Sequence, residues 1–195
     1  MIKIDGSWIE GYAFDMHTIK SVYLGRNEFG YDRYKTTRNP MGECLFKLKY
    51  RQQKRVINVG EIIQEIISLL SKNDFFKEFI NKIEAIIPTP HSNTRRILQP
   101  TFFIAKSIAK SFNKEFYPGV LESRNQKQLK YVLHNRRFEN LRNMIILKKN
   151  FDKNKKILIL DDIIQSGATL KTIVETFKEN GYNDVYVFAL TKTKH

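Results

Sequence analysis

A single cysteine, Cys44, excludes an intramolecular disulfide and any zinc site built on several thiolates. It lies in the apolar run Cys44-Leu45-Phe46, where a thiol packs as a small hydrophobe. No apolar run approaches the ~18 residues that a membrane helix needs, so no membrane insertion is expected. The opening Met1-Ile2-Lys3-Ile4-Asp5-Gly6 lacks a signal-like apolar stretch, which makes a cytoplasmic location the expectation. Two nucleotide-binding fingerprints are missing, Gly-x-Gly-x-x-Gly and Gly-x-x-x-x-Gly-Lys-Ser/Thr. Acids are also scarce: 20 Asp/Glu face 34 Lys/Arg, a net charge of +14.

What remains is an ordinary globular composition, 195 residues with 42% hydrophobic and 28% charged, enough for one domain with an elaboration. The positive excess is concentrated. Residues 106–156 hold 14 Lys/Arg against 4 Asp/Glu. Such a stretch attracts anions, which include phosphorylated small molecules, nucleic acid and acidic partners, or it forms a solvated basic face.

The first third reads as an elaboration. Partial alternation of apolar and aromatic residues from Gly6 to Gly25 predicts two short strands, and polar Asn27 to Thr37 predicts a loop. Asn39-Pro40 has the form of an N-cap followed by proline at the first helical position, opening a helix that carries Leu45, Leu48 and Lys49 to about Tyr50. Ile62, Ile63, Ile66, Ile67, Leu69 and Leu70 form one stripe of period 3.6, an amphipathic helix, which Phe75, Phe76, Phe79 and Ile80 extend after a break at Asn73. From there strands and helices alternate. Strands are predicted at Ile83–Ile87, Tyr117–Leu121, Met144–Leu147, Lys156–Leu160 and Val185–Leu190. Helices are predicted at Thr101–Phe112 and Thr169–Asn180, and the basic segment Gln126–Leu141 reads as partly helical. This order predicts an α/β fold, a Rossmann-like parallel sheet of four or five strands flanked by helices, with ligands at the carboxyl ends of the strands. Residues 1–80 are expected to form an N-terminal hood on a core of residues 81–195.

One junction carries chemistry. The apolar strand Ile157-Leu158-Ile159-Leu160 runs into Asp161-Asp162, and Gln165-Ser166-Gly167-Ala168-Thr169 follows before a helix. Two carboxylates can accept hydrogen bonds from a vicinal diol such as that of ribose. Gly167 permits a backbone closed to other residues, and the hydroxyls of Ser166 and Thr169 with the free N–H groups of a helix start suit a phosphate. Carboxylates for a sugar and a nest for phosphate a few residues apart describe a ribose-5-phosphate site. A receiver domain also ends a strand in paired acids, but needs about 100 residues after them, and only 33 follow Asp162. A merely capped helix needs one capping residue, not this set.

Leu160-Asp161-Asp162-Ile163-Ile164-Gln165-Ser166-Gly167-Ala168-Thr169 closely resembles the motif by which type I phosphoribosyltransferases bind 5-phosphoribosyl-1-pyrophosphate (PRPP). The resemblance implies that Asp161 and Asp162 hold the ribose hydroxyls, and that Gln165, Ser166, Gly167, Ala168 and Thr169 hold the 5′-phosphate. It implies Mg²⁺ carried with PRPP near Asp161 and Asp162 rather than held by the protein alone, an unidentified nitrogenous acceptor, and pyrophosphate as the leaving group. No catalytic base is identifiable. The loop Thr89-Pro90-His91-Ser92-Asn93, after an early strand, matches the place where the family cradles pyrophosphate; by its own residues it also reads as a proline-stiffened turn.

The resemblance extends to the ComF-like branch, linked to DNA uptake and related DNA metabolism. The features are Leu45-Phe46-Lys47-Leu48-Lys49-Tyr50, the Pro88-Thr89-Pro90 loop, and Arg124-Asn125-Gln126-Lys127-Gln128-Leu129 with Asn135-Arg136-Arg137-Phe138-Glu139-Asn140-Leu141. Residues 1–38 take the place of that branch's cysteine zinc ribbon and contain no cysteine. Arg124, Lys127, Lys130, Arg136 and Arg137 then have three readings: a basic hood over pyrophosphate, a track for nucleic acid, or a solvated face. Nucleic acid or DNA-processing proteins are the implied partners beside PRPP, oligomers are compatible, and a PRPP- or nucleotide-sensing module without transferase activity is the second functional reading.

Overall fold

The computed structural model describes residues 1–50, 58–90, 99–123 and 145–194. Its centre is a six-stranded sheet built from β1 (Ile2–Lys3), β2 (Gly11–Met16), β5 (Ala85–Pro88), β6 (Glu115–Phe116), β9 (Ile157–Ile164) and β10 (Val185–Lys192), in the order β1-β2-β10-β9-β5-β6. All pairings are parallel except β1 with β2. Five of its strands run parallel, as expected, and β1 adds a sixth, antiparallel. The N-terminus enters the sheet through β2, which pairs with β10, Ala13 opposite Ala189, and so joins residues 1–80 to the sheet of the core.

Period-2 alternation divides the sheet residues between two hydrophobic cores. Leu158, Leu160, Tyr186, Phe188 and Leu190 face α1 (Pro40–Tyr50), α2 (Val59–Ser71), α3 (Asp74–Asn81) and α4 (Pro100–Ser111). Ile157, Ile159, Val185, Val187 and Ala189 face α5 (Ala168–Glu179). The helices form where the spacing places them. The α2 stripe buries Ile62, Ile63, Ile66, Ile67 and Leu70, Asn58 caps its start through Oδ1, and Asn73 does the same for α3 by accepting from Phe76 N at 2.8 Å. Asn39 caps α1 as expected, accepting from Gly42 N at 2.7 Å, while its Nδ2 donates to Met16 O at the end of β2.

Three expectations need correction. Asn27–Thr37 is not a loop: β3 (Lys20–Arg26) and β4 (Asp32–Thr37) form an antiparallel hairpin that, among the described residues, pairs only with itself. Both of its faces are exposed, and that leaves no buried side to impose a legible alternation. Tyr117–Leu121 is not one strand. The chain makes β6, turns, and makes β7 (Leu121–Ser123), which pairs antiparallel with β8 (Ile145–Leu147) as a ribbon outside the main sheet. Finally, β9 does not stop at Leu160. Its ladder with β5 ends at Pro88–Leu160, but its ladder with β10 continues to Ile164–Lys192.

Candidate functional site

That asymmetric ending positions Asp161 and Asp162. On the β5 side the sheet has ended and the space above it is open to loops; on the β10 side pairing holds the strand straight. Neighbouring residues of a strand point to opposite faces. Asp161 follows Ile157 and Ile159 toward the α5 face, and Asp162 follows Leu158 and Leu160 toward the α1 face.

Each carboxylate has its own partner. Thr89, the residue after β5, donates from Oγ1 to Asp161 Oδ1 at 2.9 Å, and its N–H donates to Leu160 O at 2.9 Å. The Asp162 N–H also donates to Asp161 Oδ1, at 2.9 Å. Burial and then the neighbouring Asp162 carboxylate push the Asp161 carboxyl up to about 7, against the pull of Thr89, the Asp162 N–H and Lys49. Asp162 forms an ion pair with Lys49 of α1, Nζ to Oδ2 2.8 Å, with the two side chains only 15% and 12% exposed.

Around this pair stand two further bases. His17, at the end of β2, has Nδ1 3.0 Å from Thr191 Oγ1. Its imidazolium is disfavoured first by burial and then by the Arg38 and Lys49 cations, with Asp162 opposing. The Arg38 guanidinium lies over the Phe46 ring at 3.8 Å and faces Glu43 at 3.8 Å.

Beyond the acids, Gln165 and Ser166 are exposed and Gly167 is buried at the N-cap of α5, with φ +73°. A Cβ at Gly167 would sit 3.3 Å from Ile164 Cδ1 in a left-handed backbone. Ala168 N donates to Ser166 Oγ at 3.4 Å, and the first α5 acceptor is reached only by Lys171 N, bonded to Gly167 O. The N–H groups of Thr169 and Leu170 therefore precede the intrahelical ladder, at the positive end of the helix dipole. A cleft of about 460 Å³ opens beside Thr89 and Pro90, walled by Thr101 and Phe102 of α4 and by Leu121 and Ser123 of β7. Among the described residues no group of three or more His, Cys, Asp or Glu comes together as a metal cage, and Asp162 is already committed to Lys49. Residues Asp161, Asp162, Gln165 to Thr169, Thr89 and Pro90 thus lie together toward the carboxyl ends of β9 and β5. His91, Ser92 and Asn93, and Arg124, Lys127, Lys130, Arg136 and Arg137, lie outside the described residues.

Sequence reasoning did not assign His17 and Lys49 to the site. The signal for Lys49 was present, a lysine on the apolar side of α1, four residues after Leu45 and next to Leu48. Nothing local marks His17, because its place depends on β2 pairing with a strand more than 170 residues away.

No family model matches the chain. Among the described residues no helix is long and apolar enough to cross a membrane. An adenine phosphoribosyltransferase of Petrotoga mobilis is 28% identical over 139 residues, covering 68% of this chain and 77% of that protein. Amidophosphoribosyltransferases of Saccharomyces cerevisiae and Schizosaccharomyces pombe are 29% and 28% identical, over 58% and 67% of this chain but only 24% and 22% of their own lengths. A crystal structure of adenine phosphoribosyltransferase superposes with a TM-score of 0.46 at 13% identity, covering 90% of this chain and 86% of that one. The Saccharomyces cerevisiae adenine phosphoribosyltransferase, complexed with an imino-altritol bisphosphate and adenine, gives 0.44 at 14%, over 88% and 83%. The relatives that this chain resembles in sequence are phosphoribosyltransferases, and they are enzymes.

Proposed function

We propose that the chain is a phosphoribosyltransferase that binds PRPP at the end of β9 and transfers its 5-phosphoribosyl group to a nitrogenous acceptor, releasing pyrophosphate. The observation that carries this reading is the junction itself. Two carboxylates follow the point where a buried strand loses its β5 partner, and a left-handed Gly167 leads into the open N–H groups of α5. The acids suit the ribose hydroxyls and the α5 start suits the 5′-phosphate. With its pKa near 7, Asp161 can both donate to and accept from a hydroxyl. Thr89 and Pro90 begin the loop that would receive pyrophosphate, whose charge Mg²⁺ held by PRPP itself would offset. The chain's own residues would bind, orient and screen charge while the bond at C1 changes partner.

The cleft beside Thr89 supports a transferase over a sensing module. It opens beside Thr89, the partner of Asp161, and its volume suits a small ring. Adenine and ammonia are the first acceptors to try, on the strength of the relatives' names. The placement in the ComF-like branch rests on the sequence features at residues 45–50, 88–90, 124–129 and 135–141, a cytoplasmic setting on the opening residues, and nucleic-acid partners on the charge of residues 106–156. Calorimetry with PRPP and Mg²⁺, followed by a pyrophosphate-release screen over candidate bases and amines, tests the reading. Saturable PRPP binding with acceptor-dependent release is expected. A folded protein that ignores PRPP would overturn it.

A further inference from the structure

The two acids of the motif are adjacent in sequence but serve different layers. Asp161 is tied to β5 through Thr89, and Asp162 to α1 through Lys49. Among the described residues Lys49 forms the ion pair with Asp162; Arg38 is turned to Phe46 and Glu43, and His17 to Thr191. The Lys49 side chain, 15% exposed, reaches Asp162 from the helix that buries Leu45 and Leu48. The position of α1 is itself fixed at its start. Asn39 bonds both Gly42 N and Met16 O, and Gly42 lies so close to His17 O that no side chain fits between them.

Resting on the function proposed above, we propose that Lys49 is a positioning residue of the sugar site. It holds the Asp162 carboxylate in one orientation, so that Asp162 can accept from a ribose hydroxyl while Asp161 and Thr89 approach the sugar from the other face of the strand. A buried carboxylate that lost its cation would be free to turn away, and the diol would lose one of its two acceptors.

The test compares affinities for ribose 5-phosphate and 2-deoxyribose 5-phosphate, which differ only in one hydroxyl. Wild type is expected to prefer ribose 5-phosphate about tenfold, the worth of one charge-assisted hydrogen bond. Lys49→Met is expected to lose most of that preference, through weaker ribose 5-phosphate binding at nearly unchanged 2-deoxyribose 5-phosphate binding. Lys49→Arg is expected to keep it. Should the methionine variant not fold, Lys49→Gln carries the same comparison with a neutral donor. A folded Lys49→Met protein with the wild-type preference would overturn the inference, and so would equal loss in the Met and Arg variants, the mark of a packing role. Wild type that binds both sugar phosphates without preference overturns the role of Lys49 alone. Wild type that binds neither them nor PRPP overturns the PRPP site itself.

Discussion

Asp161→Asn is expected to make the ligand-free protein more stable while weakening its site. The exchange is close to isosteric, and the amide oxygen keeps both hydrogen bonds that Asp161 Oδ1 accepts, from Thr89 Oγ1 and Asp162 N. What disappears is a charge held near a second carboxylate. The Asp161 carboxyl rises from an ordinary 3.8 to about 7 in the fold. A carboxyl with a raised pKa binds more protons folded than unfolded between those two values, so stability falls as pH climbs through that window and stays low above it. At about 1.4 kcal/mol per pKa unit the effect is on the order of a few kcal/mol. The Asn variant should therefore unfold at higher urea than wild type at pH 8, with the gap shrinking toward pH 5 and closing near pH 3. Urea denaturation at these three pH values, with unchanged slope, measures it. A gap that does not depend on pH, or a variant less stable than wild type at pH 8, would refute the raised pKa and the crowding that causes it. The same variant should bind PRPP at least tenfold more weakly, a trade of affinity for stability usual at functional sites.

Two glycine substitutions probe the geometry on either side of the acids. Gly167→Val places a β-branched residue at φ +73° against Ile164 and should abolish binding of both PRPP and ribose 5-phosphate by calorimetry, while circular dichroism shows a folded protein. Gly42→Ala drives a Cβ into the carbonyl of His17, which neither backbone can yield without moving α1; a loss of roughly 2 kcal/mol, or about 4–8 °C in melting temperature, is expected by calorimetric scanning, along with weaker PRPP binding because Lys49 moves with the helix.

What could be read in advance divides by the range of the cause. The β9–α5 junction was legible because strand, acids, glycine and helix start are consecutive, each with its own local signature. The start of α1 was legible because Asn39 and Pro40 act within one turn. The place of β2 in the sheet was not, since its partner β10 lies at the other end of the chain and pairing leaves no local mark. Nor was the β3–β4 hairpin. Tyr23 packs on Tyr34 and bonds Asp32, but Val22, Leu24 and Phe29 are also exposed, so polar and apolar residues do not sort by face. Lys49 was visible as a residue and invisible as a contact: its charge on a buried helix face becomes meaningful only once Asp162 is known to point at that face.

The alternation of a strand gives the adjacent acids one more consequence. Asp161 answers to β5 and Asp162 to α1, so a small molecule gripped by both carboxylates would span the two sides of the sheet like a rivet through a plate. Occupancy of a site only two residues wide would then be felt as resistance to the parting of whole layers, growing with the logarithm of ligand concentration.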